Sequence, residues 1–212
     1  MFEQAIDARV LLLIKSISKM REIADNFYLA GGTALAIHLG HRKSDDIYLF
    51  SQKHFPVEHY SHVFLTLNGK ILVEEEGTIH TLIEGVKVSL LYYPYKLLLP
   101  FKTFAGLNMA SVEDISCMKI VALSQRAEKK DFFDAYEILK IYKPVELKRM
   151  FLEKYGIEKI NCYHILKSFF YFDDAENSPE PVTHHGITWD EVKAFFRNNE
   201  KMFTKDLLYR QP

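Results

Sequence analysis

The sequence predicts an α+β fold: a small mixed or antiparallel sheet with flanking helices, followed by a C-terminal helical region. Three observations carry that expectation. Short β-type runs punctuated by Gly-Gly and Glu-Gly pairs fill the first half of the chain. From Ser111 onward the apolar residues recur at helical spacing instead. The bulk composition, 48% hydrophobic and 14% aromatic over 212 residues, is that of a chain able to bury a sizeable core. We place the division at residues 1–108 for the sheet part and 109–212 for the helical part, the second packing on the first as one compact unit.

Each element has a local reason. Ala5, Val10, Leu11, Leu13, Ile14 and Ile17 form an amphipathic helical stripe within the first 24 residues, which Asp25-Asn26 ends. Residues 27–30 read as a short buried strand broken by Gly31-Gly32, and Thr33 is placed to cap a helix over 34–39 that stops at Gly40. A second strand is expected over 46–50, a helix over 57–67, and three strands over 70–75, 78–83 and 86–92. Glu76-Gly77 and Glu84-Gly85 sit where tight hairpin turns belong, so these three form an antiparallel meander beside the first two strands. Pro94 and Pro100 bracket a connection and mark the expected end of the sheet.

Ser111-Val112-Glu113-Asp114 reads as a helix start with acids in its first turn. Helices are expected over 112–126, 130–142, 144–155, 160–171 and 188–199, with a loop over 173–187. Thr188 is the expected cap of the last helix, Trp189 packs it down, and the aromatic run 169–172 belongs to the core.

Charge and cysteine usage exclude several classes. Lys and Arg number 27 against 28 Asp and Glu, so no global field draws the chain to nucleic acid or membrane, and any such binding comes from a local patch. The two cysteines, Cys117 and Cys162, lack metal-type spacing and point to a reducing, cytoplasmic setting. The acidic start of the chain is unlike a signal peptide, and the run Val10–Ile14 is too short for a bilayer. His184-His185 have no spaced partners, which argues against zinc.

The chemistry concentrates in Leu29-Ala30-Gly31-Gly32-Thr33-Ala34-Leu35 and in Arg42-Lys43-Ser44-Asp45-Asp46-Ile47-Tyr48-Leu49-Phe50. Two glycines between a strand and a helix bring backbone amides close to an anion, and the helix start adds positive partial charge. The following strand shows alternate residues on one face, the arrangement in which paired carboxylates hold metal ions for phosphoryl or nucleotidyl transfer. Asp46 takes the first such position, but the second is Tyr48, and Asp45 points the other way. Glu74, Glu75 and Glu76 read as a solvated sheet edge. In the helical half, Lys119 and Arg126 lie about two turns apart on nearly one face, and Asp131 and Asp134 share a face of the next helix. They suit either a triphosphate contact or an ion-pair network, with Lys130 solvated.

Taken whole, Leu29–Phe50 resembles the motif of the AbiEii/AbiGii toxin family, a nucleotidyltransferase-fold branch of the DNA polymerase β-like superfamily. Gly85-Val86-Lys87-Val88 through Tyr93-Pro94-Tyr95 is similar to the family's strand and its exit. Ser111 to Lys119, Arg126, Lys130-Asp131-Phe132 and Asp134 are similar to its helical signature, and Tyr171–Glu176 to a tail segment of some members. The resemblance spans about residues 25–196.

It implies a nucleotidyltransferase that moves a nucleotide from an NTP to an RNA or protein acceptor, tRNA being attractive, with Mg²⁺ as cofactor. It implies service as the toxin of a toxin–antitoxin or phage-defence pair, with a cognate antitoxin as partner. Asp46 would hold the metal, Gly31, Gly32 and Thr33 would cradle phosphate, and His41 with Arg42 would form a positive patch beside them, Ser44 standing in the same string. Lys119 would contact the triphosphate, and Asp131 would orient it or act as a base. The sequence departs from the pattern at Tyr48 and at Ser89, where a second and a third acid would stand. The alternative reading is therefore a catalytically impaired relative that binds nucleotide, RNA or a partner.

Overall fold

The computed structural model describes residues 1–156 and 161–209, which divide into two compact units, Met1–Ser111 and Val112–Pro212. In the first, seven strands form one mixed sheet in the order β3-β4-β5-β2-β1-β7-β6. Its central strands are β1 (Tyr28–Ala30), antiparallel to β2 (Ile47–Ser51), which lies parallel to β5 (Val86–Tyr92). The expected meander continues outward through β4 (Thr78–Ile83) to the edge strand β3 (Lys70–Glu75). Glu84-Gly85 turns the second hairpin with both residues at positive φ, 49° and 80°, the conformation that matches strand twist.

Side-chain alternation sorts the sheet into two faces. Ile47, Leu49, Ile79, Thr81, Val88 and Leu90 are fully buried. Between them Tyr48, His80 and Lys87 stay half-exposed. Helix α4 (Val57–Thr66) packs on β3 and β4, and α3 (Gly31–Leu39) on β1 and β2. The single N-terminal helix expected from periodicity is split into a 3-10 turn at Glu3–Ala5, α1 (Ala8–Ile17) and α2 (Arg21–Ala24). Asp7 caps α1 by accepting from the Arg9 amide at 2.8 Å.

The sheet does not end at Pro94 and Pro100, because β6 (Lys102–Phe104) and β7 (Leu107–Met109) add a hairpin beyond them. Three-residue strands are too short to show a period, and their pairing is tertiary: β7 runs parallel to β1, and the Ala110 amide donates to the Leu29 carbonyl at 2.9 Å. Nor does Thr33 cap α3. The helix starts at Gly31, its N-cap is the extended Ala30, and Thr33 lies inside the first turn.

The second unit is helical: α5 (Val112–Arg126), α6 (Lys129–Ile141), α7 (Pro144–Tyr155), α8 (Cys162–Ser168), α9 (Asp173–Glu176), α10 (Trp189–Asn198) and α11 (Glu200–Thr204), ending in a π-helical turn at Lys205–Tyr209. The helix expected over 160–171 begins on a residue outside the described ones, and it stops at Ser168. The segment expected as loop contains the single helical turn α9. Thr188 does cap α10, its hydroxyl accepting from the Glu191 amide at 3.3 Å while the Glu191 carboxylate accepts from the Thr188 amide at 2.8 Å. Trp189 then meets Phe132 edge-on at 5.4 Å, in an aromatic core that runs through Phe196 to Phe169 and Phe203. Cys117 is buried in α5, and burial pushes its thiol up to about 12, which makes it inert at neutral pH. Among the described residues no helix is long and apolar enough to cross a membrane.

Candidate functional site

In the first unit, the glycine pair and the Asp46 strand meet at one corner. Gly31 adopts φ +76°, a conformation that lets β1 turn directly into α3 without a capping side chain. The amides of the first helical turn, Gly31, Gly32 and Thr33, have no partners further back in the helix, so this turn is suited to an anion. Asp46 immediately precedes β2 and is half-buried, whereas Asp45 beside it is exposed.

A hydrogen-bonded bolt sets the spacing between cradle and carboxylate. The buried Thr33 hydroxyl donates to the Asp46 backbone carbonyl. Its one hydrogen being spent there, it accepts from the Ser44 hydroxyl at 2.8 Å. Ser44 is held in turn by its amide, which donates to the Ala5 carbonyl at 3.0 Å. Arg42 is buried as well, and its Nη1 donates to the Lys43 carbonyl at 2.9 Å. Thr33 and Ser44, expected at the nucleotide, are thus brought together with Asp46 through their own hydrogen bonds.

Tyr48 lies across the cradle. A Cβ built on Gly31 would stand 3.4 Å from the Tyr48 Cβ and 3.5 Å from its ring, which is ordinary contact, so the need for glycine here is conformational. Gly31→Ala is expected to cost about 1–2 kcal/mol from the left-handed backbone, read as a lower urea midpoint, and to weaken nucleotide binding measured by calorimetry.

From Tyr48 a row of side chains continues on the same face. Tyr48 pairs with Ser89 on β5, and Ser89 pairs with His80 on β4. Ser89 is fully buried, and its hydroxyl lies 2.8 Å from His80 Nδ1. The three residues therefore occupy the face on which paired carboxylates would be needed for metal. Asp46 would share an ion that a triphosphate carries in, since Mg²⁺ keeps much of its shell from waters and substrate phosphates. The neutral phenol and hydroxyl do not fit a two-ion centre, and no cluster of three or more His, Cys, Asp or Glu suited to a metal occurs among the described residues. Glu74, Glu75 and Glu76 are exposed at the β3 edge, as expected.

His80 was not singled out by motif. The signal was nevertheless available: a two-residue turn at Glu84-Gly85 pairs Ile83 with Val86, and counting back three residues on each strand sets His80 opposite Ser89.

The second unit gathers the other candidates. Lys119 is buried, its ammonium 2.7 Å from both Asp131 Oδ1 and Asp134 Oδ2. Arg126 grips Asp131 with two nitrogens, Nε to Oδ2 at 2.8 Å and Nη2 to Oδ1 at 3.0 Å. Burial pushes the Asp131 carboxyl up, but the Lys119 charge and the Arg126 hydrogen bonds and charge together outweigh it and hold the group below the usual carboxylate range. Lys130 instead reaches Glu128 at 2.7 Å at the surface. A second ion pair, fully buried, joins Lys154 of α7 to Asp114 of α5 at 2.6 Å. A cleft of about 500 Å³ in this unit is lined by Arg126, His164, Lys167 and Tyr171 among others.

Comparison with known proteins agrees with this architecture. The sequence profile of the family described as "Nucleotidyl transferase AbiEii toxin, Type IV TA system" matches residues 52–183, a span that starts just beyond the glycine corner. An uncharacterized protein of Aquifex aeolicus, aq_aa25, is 35% identical over 192 residues, covering 87% of this chain and 91% of its own. Two solved structures share the fold. JHP933 from Helicobacter pylori superposes with a TM-score of 0.56 at 17% identity, covering 97% of this chain and 94% of that one. MenT4, a nucleotidyltransferase toxin of Mycobacterium tuberculosis, superposes with a TM-score of 0.51 at 11% identity over 93% of this chain and 86% of that one. With a seven-stranded mixed sheet carrying a glycine-started helix beside Asp46, and a profile match over more than half its length, this chain belongs to the AbiEii nucleotidyl transferase toxin family.

Proposed function

We propose that this protein transfers a nucleotide from an NTP to a hydroxyl of an RNA acceptor, tRNA being the first to test, as the toxin of a toxin–antitoxin or phage-defence pair. The observation that carries this reading is the bolted corner, in which Thr33 ties the amide cradle of α3 to the strand that presents Asp46. Such a corner holds a triphosphate at a set distance from a carboxylate, and phosphoryl chemistry depends mostly on that positioning. A divalent ion, Mg²⁺ in this proposal, would be held by Asp46 and would neutralise phosphate charge. The chain's own parts bind and orient: Gly31, Gly32 and Thr33 at the phosphates, with Arg42 beside them. The cleft lined by Arg126, Lys167, Tyr171 and Asp174 supports an RNA acceptor through Lys167 and the exposed Tyr171 ring, which suit a backbone phosphate and an unstacked base. The cognate antitoxin would be a further partner.

The test is transfer of label from each α-labelled NTP to bulk tRNA, to other RNA and to protein. The wild type is expected to label RNA, and Asp46→Ala to cut the rate by about 100-fold or more without unfolding. Label entering protein alone would replace the acceptor, and no label with any acceptor would overturn transfer. One observation favours a second reading, a binding protein without transfer: Tyr48 packs over Gly31 where an acid was expected. On that reading NTP binding is indifferent to Mg²⁺, and Tyr48→Asp introduces metal dependence.

A further inference from the structure

Transfer to a hydroxyl requires that the attacking oxygen lose its proton, and the carboxylates usually available for this are absent from the row beside Asp46. The row does contain a base. Resting on the transferase reading above, we propose that His80 accepts the proton of the attacking hydroxyl and that Ser89 is the positioning residue that holds its ring.

The geometry supports this assignment at several points. His80, Ser89 and Tyr48 occupy facing positions on three adjacent strands, so their side chains emerge on one face. Tyr48 at the end of that row touches the Gly31 cradle, and the cradle follows β1, which puts His80 three strand spacings, roughly 14 Å, from the phosphate corner. That span leaves room for a triphosphate running from the cradle along the row, with the incoming hydroxyl on the His80 side. His80 is half-exposed and reachable, whereas Ser89 is sealed beneath its neighbours and suits holding rather than reacting.

Ser89 Oγ lies 2.8 Å from His80 Nδ1, a hydrogen bond that either atom can donate, and base catalysis uses the tautomer with the proton on Nδ1. With the proton on Nδ1 and donated to Ser89, the lone pair lies on Nε2, as when a second partner sets the tautomer of a working histidine. The step then balances. The acceptor oxygen forms its bond to the α-phosphorus, and the hydroxyl proton passes to His80 Nε2. The bond from the α-phosphorus to the bridging oxygen breaks, and pyrophosphate leaves with that electron pair.

The charges around the ring favour its neutral form. Burial and the Lys87 ammonium on β5 hold His80 below its usual value, and Glu75 on β3 pulls weakly the other way. Tyr48 lies further along the row and Asp46 precedes it on β2. A neutral imidazole at pH 7 is a competent proton acceptor, and general bases of this kind contribute about 10²–10⁴-fold.

The experiment uses the full chain with α-labelled NTP and the RNA acceptor, comparing wild type, His80→Gln and Ser89→Ala, with ¹⁵N-histidine NMR alongside. His80→Gln is expected to lower kcat by about 100-fold, to leave KM for NTP and the melting temperature unchanged, and to abolish the acidic limb of the pH–rate profile. Ser89→Ala is expected to lower kcat by about tenfold and to change the tautomer signature of His80 in NMR, which a merely structural serine would not do. Transfer by the wild type that His80→Gln leaves intact overturns the proposal while the transferase reading stands. An NMR signature with the proton on Nε2 in the folded wild type overturns it as well. No transfer by the wild type removes the transferase reading and the proposal together.

Discussion

Replacing Asp131 with alanine is expected to destabilise the protein by about 3–5 kcal/mol, the cost of leaving buried charge without its partner. Asp131 is fully buried and takes Lys119 on one oxygen and both nitrogens of Arg126 on its two. Without it Lys119 keeps its contact with Asp134 at 2.7 Å, and the partly exposed Arg126 loses its two-pronged grip. Asp131→Asn retains the shape but not the charge, so most of the loss should remain. The readout is the urea midpoint at constant slope. The sign with pH follows from linkage: a carboxyl depressed in the folded state contributes in full above its unfolded value, about 3.9. That contribution declines as pH falls below this value toward the folded one. Wild type should therefore lose stability relative to Asp131→Asn only below about pH 4, and the two acid-unfolding curves should converge there.

The second large effect is expected at Asp114 and Lys154. Both side chains are fully buried and meet at 2.6 Å, tying α7 to α5. Asp114→Ala should cost about 3–5 kcal/mol, the usual effect of removing one member of a buried ion pair. The double variant Asp114→Leu with Lys154→Met should recover most of this, since apolar replacement of a buried pair is often neutral or stabilising. A double variant as unstable as the single one would mean that the pair is held for more than its charge. Because Asp114 and Lys154 carry no part of the proposed chemistry, transfer by the folded double variant should match the wild type.

Much of this architecture was legible in residue order, and the reasons are local. The strands over 70–75, 78–83 and 86–92 stand where the Glu-Gly turns put them, because a two-residue turn with positive φ prescribes both strand ends. Helices over 112–126 and 144–155 match for a similar reason: an acid-rich start in one, proline at the first position in the other. The hairpin Lys102–Met109 escaped because its strands are three residues long and gain their stability from β1, a partner about 80 residues distant. Thr33 was misplaced as a cap because Ser, Thr and Asp before an apolar helix usually cap it. What overrode that preference was a carbonyl thirteen residues on, at Asp46.

The sequence by itself determined the family, the α+β order and the glycine-started corner between β1 and α3, since a glycine pair between strand and helix admits few conformations. It also showed Tyr48 and Ser89 at the two positions where the resembled motif carries acids. Only the tertiary structure decided what stands near them: strand register set His80 beside Ser89, and the Thr33 bolt set Asp46 against the cradle. It decided equally that buried Lys119, Asp131 and Asp134 form one network with the partly exposed Arg126. Residue types announce which chemistry is available, but charge compensation and proton acceptance depend on distances of about 3 Å, and those arise when strands and helices distant in sequence are packed together.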